Sequence, residues 1–193
     1  MHQFHADGVL GPVRPYFEAK PPLWVIRGRL CERKSFPTGT FFRNYKYART
    51  GNVLLDKKLF ADKKSRFDSQ FGLTGGEDQD FFKRMINNGR HIVWCNEALV
   101  YETVPPERWG RSFYTKKYLQ MGGQTGELAR KWPLVSKCKW LVKSLLATCF
   151  YSLLLPFSCF FGHHVFMKCL LKDLYFFGWL AGFLWRPIIR YRY

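Results

Sequence analysis

The sequence predicts an α/β domain followed by a membrane-associated helical segment, and three observations carry that reading. Short apolar runs alternate with amphipathic, helix-spaced runs between residues 7 and 123, the pattern of strands and helices in packed layers. Residues 144 to 161, SLLATCFYSLLLPFSCFF, then hold no charge over 18 positions, the lower edge of a membrane-spanning length. From Lys131 to Tyr193, finally, Asp173 is the only acid against nine lysines and arginines, so the chemistry of the chain changes near residue 130.

Taken in order, DGVLGPVRPYFE (7 to 18) gives a short strand through Val9 and Leu10, a turn at Gly11-Pro12 and an extended exit at Pro15. A strand so early has nothing before it to pair with. Pro21-Pro22 followed by Leu23, Trp24, Val25 and Ile26 opens a short helix, with proline tolerated in the first turn. Residues 31 to 48 interleave Arg33, Lys34, Arg43 and Lys46 with Phe36, Phe41, Phe42, Tyr45 and Tyr47. That mixture suits a solvated loop, a loop over a sugar or lipid site, or a platform for single-stranded nucleic acid. Thr50-Gly51-Asn52 then leads into Val53-Leu54-Leu55, read as a buried strand with a glycine at a point of close approach.

The stretch FGLTGGEDQDFF (71 to 82) is where packing gives way to chemistry. Glu77, Asp78 and Asp80 crowd behind two glycines, and Phe81, Phe82, Met85 and Ile86 continue at helical spacing to a stop at Gly89. Thr74 and Glu77 have the spacing of a capping box, and acids in a first turn gain from the helix dipole. An ionised carboxylate on a rigid helix start suits a general base or a hydroxyl-binding group; the plain alternative is an acidic helix cap. HIVWC (91 to 95) and ALVY (98 to 101) read as strands. Pro105-Pro106 starts a helix whose apolar face runs through Trp109, Phe113, Tyr114, Tyr118 and Met121 and which ends at Gly122-Gly123.

The uncharged run, with the segment from Val165 to Trp185, predicts a helical hairpin or a span followed by an interfacial helix. Trp140, Tyr151, Trp179 and Trp185 suit headgroup depth. Basic residues flank both ends, which places both in the cytoplasm by the positive-inside rule. The plain alternative is a pair of buried helices in a soluble core. The net charge of +17 implies an anionic partner, a membrane surface or a nucleic acid. Six cysteines without a C-x-x-C pair read as free thiols, and His163-His164 as a turn between apolar segments. MHQFHADG has neither a basic n-region nor an apolar h-region, so no signal peptide is expected.

Four pieces in order carry a family likeness: DGVLGPVRPYFE, RTGNVLL, FDSQFGLTGGEDQDFFKRMINNG and IVWCNEALVYETVPPERWGRSFYTKKYLQMGG. Over residues 6 to 123 the chain resembles the C-terminal half of bacterial family 2 glycosyltransferases of the exopolysaccharide type. The resemblance implies a partial GT-A, Rossmann-like domain (residues 1 to 130, the acceptor side) followed by a membrane-associated segment (131 to 193). It implies inverting sugar transfer from a nucleotide sugar to a glycan or lipid-linked acceptor, at the cytoplasmic face of the inner membrane. Asp78 takes the place of the catalytic base, with Glu77 beside it. Thr50, Gly51 and Asn52 match the acceptor-binding strand end, and Arg108 and Arg111 match phosphate-binding positions. Lys116 and Lys117 stand where a further arginine is expected.

The family's nucleotide-binding region, which ends in an Asp-x-Asp motif holding a divalent Mg or Mn ion, has no counterpart in these residues. The one such triplet, Asp78-Gln79-Asp80, belongs to the acidic helix. No metal site or cofactor is therefore expected in this chain, which reads as a truncated, split or mis-started enzyme, a fragment inactive without a donor-binding half supplied in cis or as a separate partner. Two other classes stand beside this one. A basic nucleic-acid-binding protein fits the charge but shows no binding motif, so no nucleic-acid partner is expected. An inactive membrane interaction protein, a relic of the enzyme, is the third.

Overall fold

The computed structural model describes residues 2 to 60, 66 to 68 and 76 to 185. Among these, the chain packs as two units. One is built from residues up to Tyr16 and from Glu32 to Thr103, and the other from Phe17 to Cys31 and from Val104 onward. The architecture is mixed α/β, with strands confined to the first unit and the long helices to the second.

In the first unit, β1 (Gly8–Leu10) is the middle strand of three. It pairs antiparallel with β3 (Val53–Leu55), Val9 opposite Leu54, and parallel with β4 (Ile92–Trp94), Val9 opposite Val93. The early strand thus finds both partners later in the chain. A second, two-stranded parallel sheet joins β2 (Val13–Tyr16) to β5 (Val100–Thr103). Ile92, Val93 and Trp94 are all buried, as a β-branched and aromatic run bounded by turns should be. β3 differs from its expectation as a buried strand: it is an edge strand, and Leu54 is 63% exposed.

Helix α2 (Glu77–Asn87) packs Phe81, Phe82 and Met85 against Leu10, Phe42, Leu59, Ile92 and Trp94 to make the core of this unit. It closes at Gly89, whose φ of 74° supplies the left-handed turn expected there. Its start departs from the predicted capping box. Thr74 lies outside the described residues, the cap position is Gly76 (φ 99°), and Glu77 is the first helical residue rather than the third. Asn52 ties the two sheets: its Nδ2 donates to the Pro12 carbonyl at 3.0 Å and to the Ala98 carbonyl at 2.5 Å.

In the second unit, the short helix α1 (Leu23–Gly28) follows Pro22 as expected. A 3₁₀ turn, Pro106–Trp109, precedes helix α3 (Arg111–Ala129). The predicted stop at Gly122-Gly123 does not occur. These glycines and Gly126 are buried against helix α5 (His163–Leu184), where Gly178 and Gly182 face them. A Cβ on Gly122 would lie 2.0 Å from the Tyr175 carbonyl oxygen, and one on Gly182 would lie 2.0 Å from that of Gly123. The two backbones touch, and the helix continues because tertiary contact outweighs the propensity cost of glycine.

Helix α4 (Leu134–Ser158), extended by a 3₁₀ turn to Phe161, turns at Gly162 into α5, so the hairpin forms. His163 and His164 sit in the first turn of α5 rather than in the connection. Leu134–Phe161 is the one stretch among the described residues long and apolar enough to cross a membrane, and only 11% of its most apolar window is buried. The second segment does not reach that standard, since Lys168, Lys172 and Asp173 interrupt it.

Gly182→Ala is expected to force α3 and α5 apart and cost about 1–3 kcal/mol, as overpacking does. Gly110→Ala, where the added Cβ meets only the Glu107 carbonyl at 3.8 Å, should change stability by a few tenths of a kcal/mol, about the difference between glycine and alanine at a helix cap. Thermal unfolding of the detergent-solubilised variants separates the two; equal melting would show that the contact is not close. Asn52→Ala removes the side-chain donor from the Ala98 carbonyl, while the Pro12 carbonyl keeps the Val100 N–H, and should destabilise by about 1 kcal/mol or more in the same measurement.

Candidate functional site

The site lies in the first unit, where the turn before β3 meets the start of α2. Thr50–Asn52 forms a 3₁₀ turn, entered from extended Arg49 and left by extended Val53. This aims the Thr50 side chain at α2, and its Oγ1 donates to Asp78 Oδ1 at 2.5 Å. Asp78 is held at the second position of the helix, where the unpaired N–H groups of the first turn favour a negative charge.

Asp78 opens on a pocket of about 380 Å³ whose other charged walls are Arg33, Arg49 and Glu102. Gly51, Val13, Val100 and Tyr101 complete it. Arg33 forms an ion pair with Glu102, which keeps its guanidinium at the wall. Arg49 donates from Nη1 to the Ala48 carbonyl at 2.8 Å. Burial pulls the Arg49 guanidinium below its ordinary pKa, a change opposed by the negative charge of Asp78, deepened by Arg33 and opposed again by Glu77. The pocket wall therefore carries two acids and two guanidiniums, which can hold a hydroxylated ligand by both donors and acceptors. Gly51 leaves room for Arg33, since a Cβ there would lie 3.2 Å from Arg33 Nη1.

The structure brings together Asp78, Thr50 and Gly51 among the residues singled out from sequence. Glu77 is the next residue along the helix. Asn52 directs its amide nitrogen into backbone carbonyls and so shapes the site from behind. Asp80 turns the other way, accepting from Arg84 Nε at 2.8 Å one helical turn on. Arg108 and Arg111 belong to the second unit, Arg108 in the 3₁₀ turn and Arg111 at the first position of α3, both exposed. Among the described residues no group of three or more His, Cys, Asp or Glu side chains could hold a metal ion. All six cysteines are free.

Sequence reasoning missed Arg33, Arg49, Tyr101 and Glu102. Two of these left a trace. Arg49 immediately precedes the Thr50-Gly51-Asn52 triplet, and Glu102 opens the E-T-V-P run already noted for its family likeness. Arg33 stood out only as one base of the mixed stretch from 31 to 48, because its place in the wall depends on Glu102, 69 positions away.

No protein-family model matches the chain, and no solved structure matches it. Over 126 residues, 64% of the chain, it is 32% identical to the succinoglycan biosynthesis protein ExoM of Rhizobium meliloti (strain 1021). That stretch covers 39% of the relative, so the chain spans well under half of the curated protein it matches. This chain thus has a relative in exopolysaccharide biosynthesis.

Proposed function

We propose that the chain is the acceptor-side portion of an inverting, family 2 glycosyltransferase of GT-A fold. It would pass a sugar from a nucleotide-sugar donor to a glycan or lipid-linked acceptor in cell-surface polysaccharide synthesis, on the cytoplasmic side of the inner membrane. The observation that carries the reading is Asp78. It heads α2, takes the Thr50 hydroxyl on Oδ1 and faces a pocket walled by Arg33, Arg49 and Glu102. The relative named for succinoglycan biosynthesis supports the polysaccharide part of the proposal.

In this mechanism Asp78 Oδ2 accepts the proton of the acceptor hydroxyl while the hydroxyl oxygen bonds to the anomeric carbon. The bond from that carbon to the donor's diphosphate breaks on the opposite face, and the nucleoside diphosphate leaves with the electron pair. Thr50 fixes the carboxylate's orientation by occupying Oδ1, so that the base contributes through closeness and aim. Glu77 and Gly51 position the acceptor, and Asn52 holds the turn that carries Thr50. Arg108 and Arg111 neutralise phosphate on the nucleotide or on a lipid-linked acceptor. The donor's metal-binding acids belong to a further segment of the enzyme, in cis or as a partner chain.

Two aromatic residues of 31 to 48, Phe36 and Phe42, are drawn into packing rather than left to stack on bases, while Phe41 and Tyr47 stay exposed. Phe36 and Phe42 pack edge-on to each other, both contact Trp94, and Lys34 lies 4.8 Å from the centre of the Tyr47 ring. Aromatics used this way do not form an open stacking platform.

The test is turnover of the chain joined to a donor-binding half. Asp78→Asn keeps shape and removes the proton acceptor, so kcat should fall by about 10²-fold or more with donor affinity nearly unchanged. Thr50→Val should cost about tenfold in kcat through loss of aim. Asp80→Asn should do little, because Asp80 serves Arg84, and Glu77→Gln should act mainly on acceptor KM. An Asp78→Asn enzyme as fast as the unsubstituted one would remove Asp78 as the base.

A further inference from the structure

The second unit carries an uncovered apolar face with a definite shape. On α4 the outward residues Val142, Leu145, Leu146, Phe150, Leu153 and Phe157 are exposed, and the apolar strip continues to Phe160, which is 87% exposed. At 100° per residue these positions fall within an arc of about 140°. The charged side chains on and beside this arc, Lys139 and Lys143, stand at its N-terminal end. Lys143 Nζ lies 4.3 Å from the centre of the Trp140 ring, and Lys131 and Lys137 are close by in sequence. An apolar strip closed at one end by lysines and tryptophan matches the boundary layer of an anionic bilayer.

The other side of α4 decides how it meets that bilayer. It packs antiparallel along α5: Trp140 stacks near Trp179, Tyr151 on Phe176, and Ser152 Oγ donates to Asp173 at 3.2 Å. Lys172 Nζ sits 5.4 Å from the centre of the Tyr151 ring. Ser152 lies nine residues before Phe161, about 14 Å along the helix. Were α4 to cross the bilayer, Lys172 and Asp173 would therefore stand near its middle, where charges are expensive.

Nor could α5 enter alone. Its glycines hold α3 backbone to backbone, and Arg130, the residue capping the end of α3, donates to the Gly182 and Phe183 carbonyls of α5. Crossing would bring Lys116, Lys117 and Glu127 of α3 toward the hydrocarbon as well. A flat arrangement immerses the apolar arc of α4 and leaves all of these charges in water.

We infer that α4 binds an anionic bilayer lying in the plane of its surface, with α3 and α5 riding on its water side, and does not span it. This rests on the membrane placement proposed above but not on the sugar-transfer chemistry. The unmodified chain would be floated with vesicles containing about one third phosphatidylglycerol, and its helix orientation read by polarised infrared dichroism on oriented bilayers of the same lipid. The expected result is flotation, at least fivefold weaker on uncharged phosphatidylcholine vesicles, with the helix axes parallel to the membrane plane. Leu153→Glu combined with Phe157→Glu should lower the bound fraction at least tenfold while the circular dichroism stays helical. Flotation with helix axes along the membrane normal would overturn the flat arrangement in favour of a span. Failure to float would remove the bilayer as the occupant and leave a protein partner for the strip. Neither failure touches the Asp78 assay, so loss of this inference and loss of the catalytic reading are told apart.

Discussion

The first unit depends on the pairing of β1 on both edges. Three residues, Gly8–Leu10, come too early in the chain to find a partner before them. They are completed by Val53–Leu55 on one side and Ile92–Trp94 on the other. Closing those two long loops costs chain entropy that only buried contacts can offset. The offset comes from Leu10, Ile92 and Trp94 packed under Phe81, Phe82 and Met85 of α2. The same closure sets the geometry of the site. The turn before β3 must arrive at the end of β1, where Asn52 reaches the Pro12 and Ala98 carbonyls, and α2 must lie over the sheet before the chain returns as β4. Thr50 and Asp78, 28 residues apart, meet because both segments are pinned to one short strand.

What could be read from sequence follows from how local its cause is. The apolar periodicity of α2, its stop at Gly89, the short helix after Pro22 and the strands at 8 to 10 and 92 to 94 are local patterns, and the chain forms them. The errors came where a distant partner overrides the local signal. Gly122-Gly123 reads as a helix end, yet in contact with Gly178 and Gly182 the same residues are what lets two helices approach. Leu54 reads as core because its neighbours are apolar, but an edge strand exposes alternate residues. Arg33 and Glu102 could not be joined in advance, since neither sits in a pattern that names the other.

The acidic run shows why three carboxylates within four positions are not interchangeable. At 3.6 residues per turn, Asp78 and Asp80 point about 200° apart. One meets a hydroxyl and a pocket, and the other meets Arg84 on its own helix. The Asp80–Arg84 pair supports the helix as an ordinary i,i+4 contact does, leaving Asp78 as the acid that faces a ligand-sized space. Arg49 connects this carboxylate to its surroundings in charge. Its burial is tolerated because Asp78 and Glu77 oppose the loss of solvation, so removing either acid also changes the environment of the guanidinium across the pocket.

The charge balance of the second unit follows a separate logic. A net charge of +17 acts against compactness unless the charges are spread or neutralised from outside. Here α3 and α5 meet through glycine, with no side chains between the backbones at the contact, and this leaves the lysines of both helices on their remaining faces. α4 covers α5 with Trp140 and Tyr151 on its inner side while exposing phenylalanine and leucine on its outer side. A helix apolar on both sides is stable in water only when something covers the second side. An anionic surface would supply that cover and neutralise the lysines at the same time. On the proposal made above, the basic excess and the apolar strip would be two requirements met by a single partner.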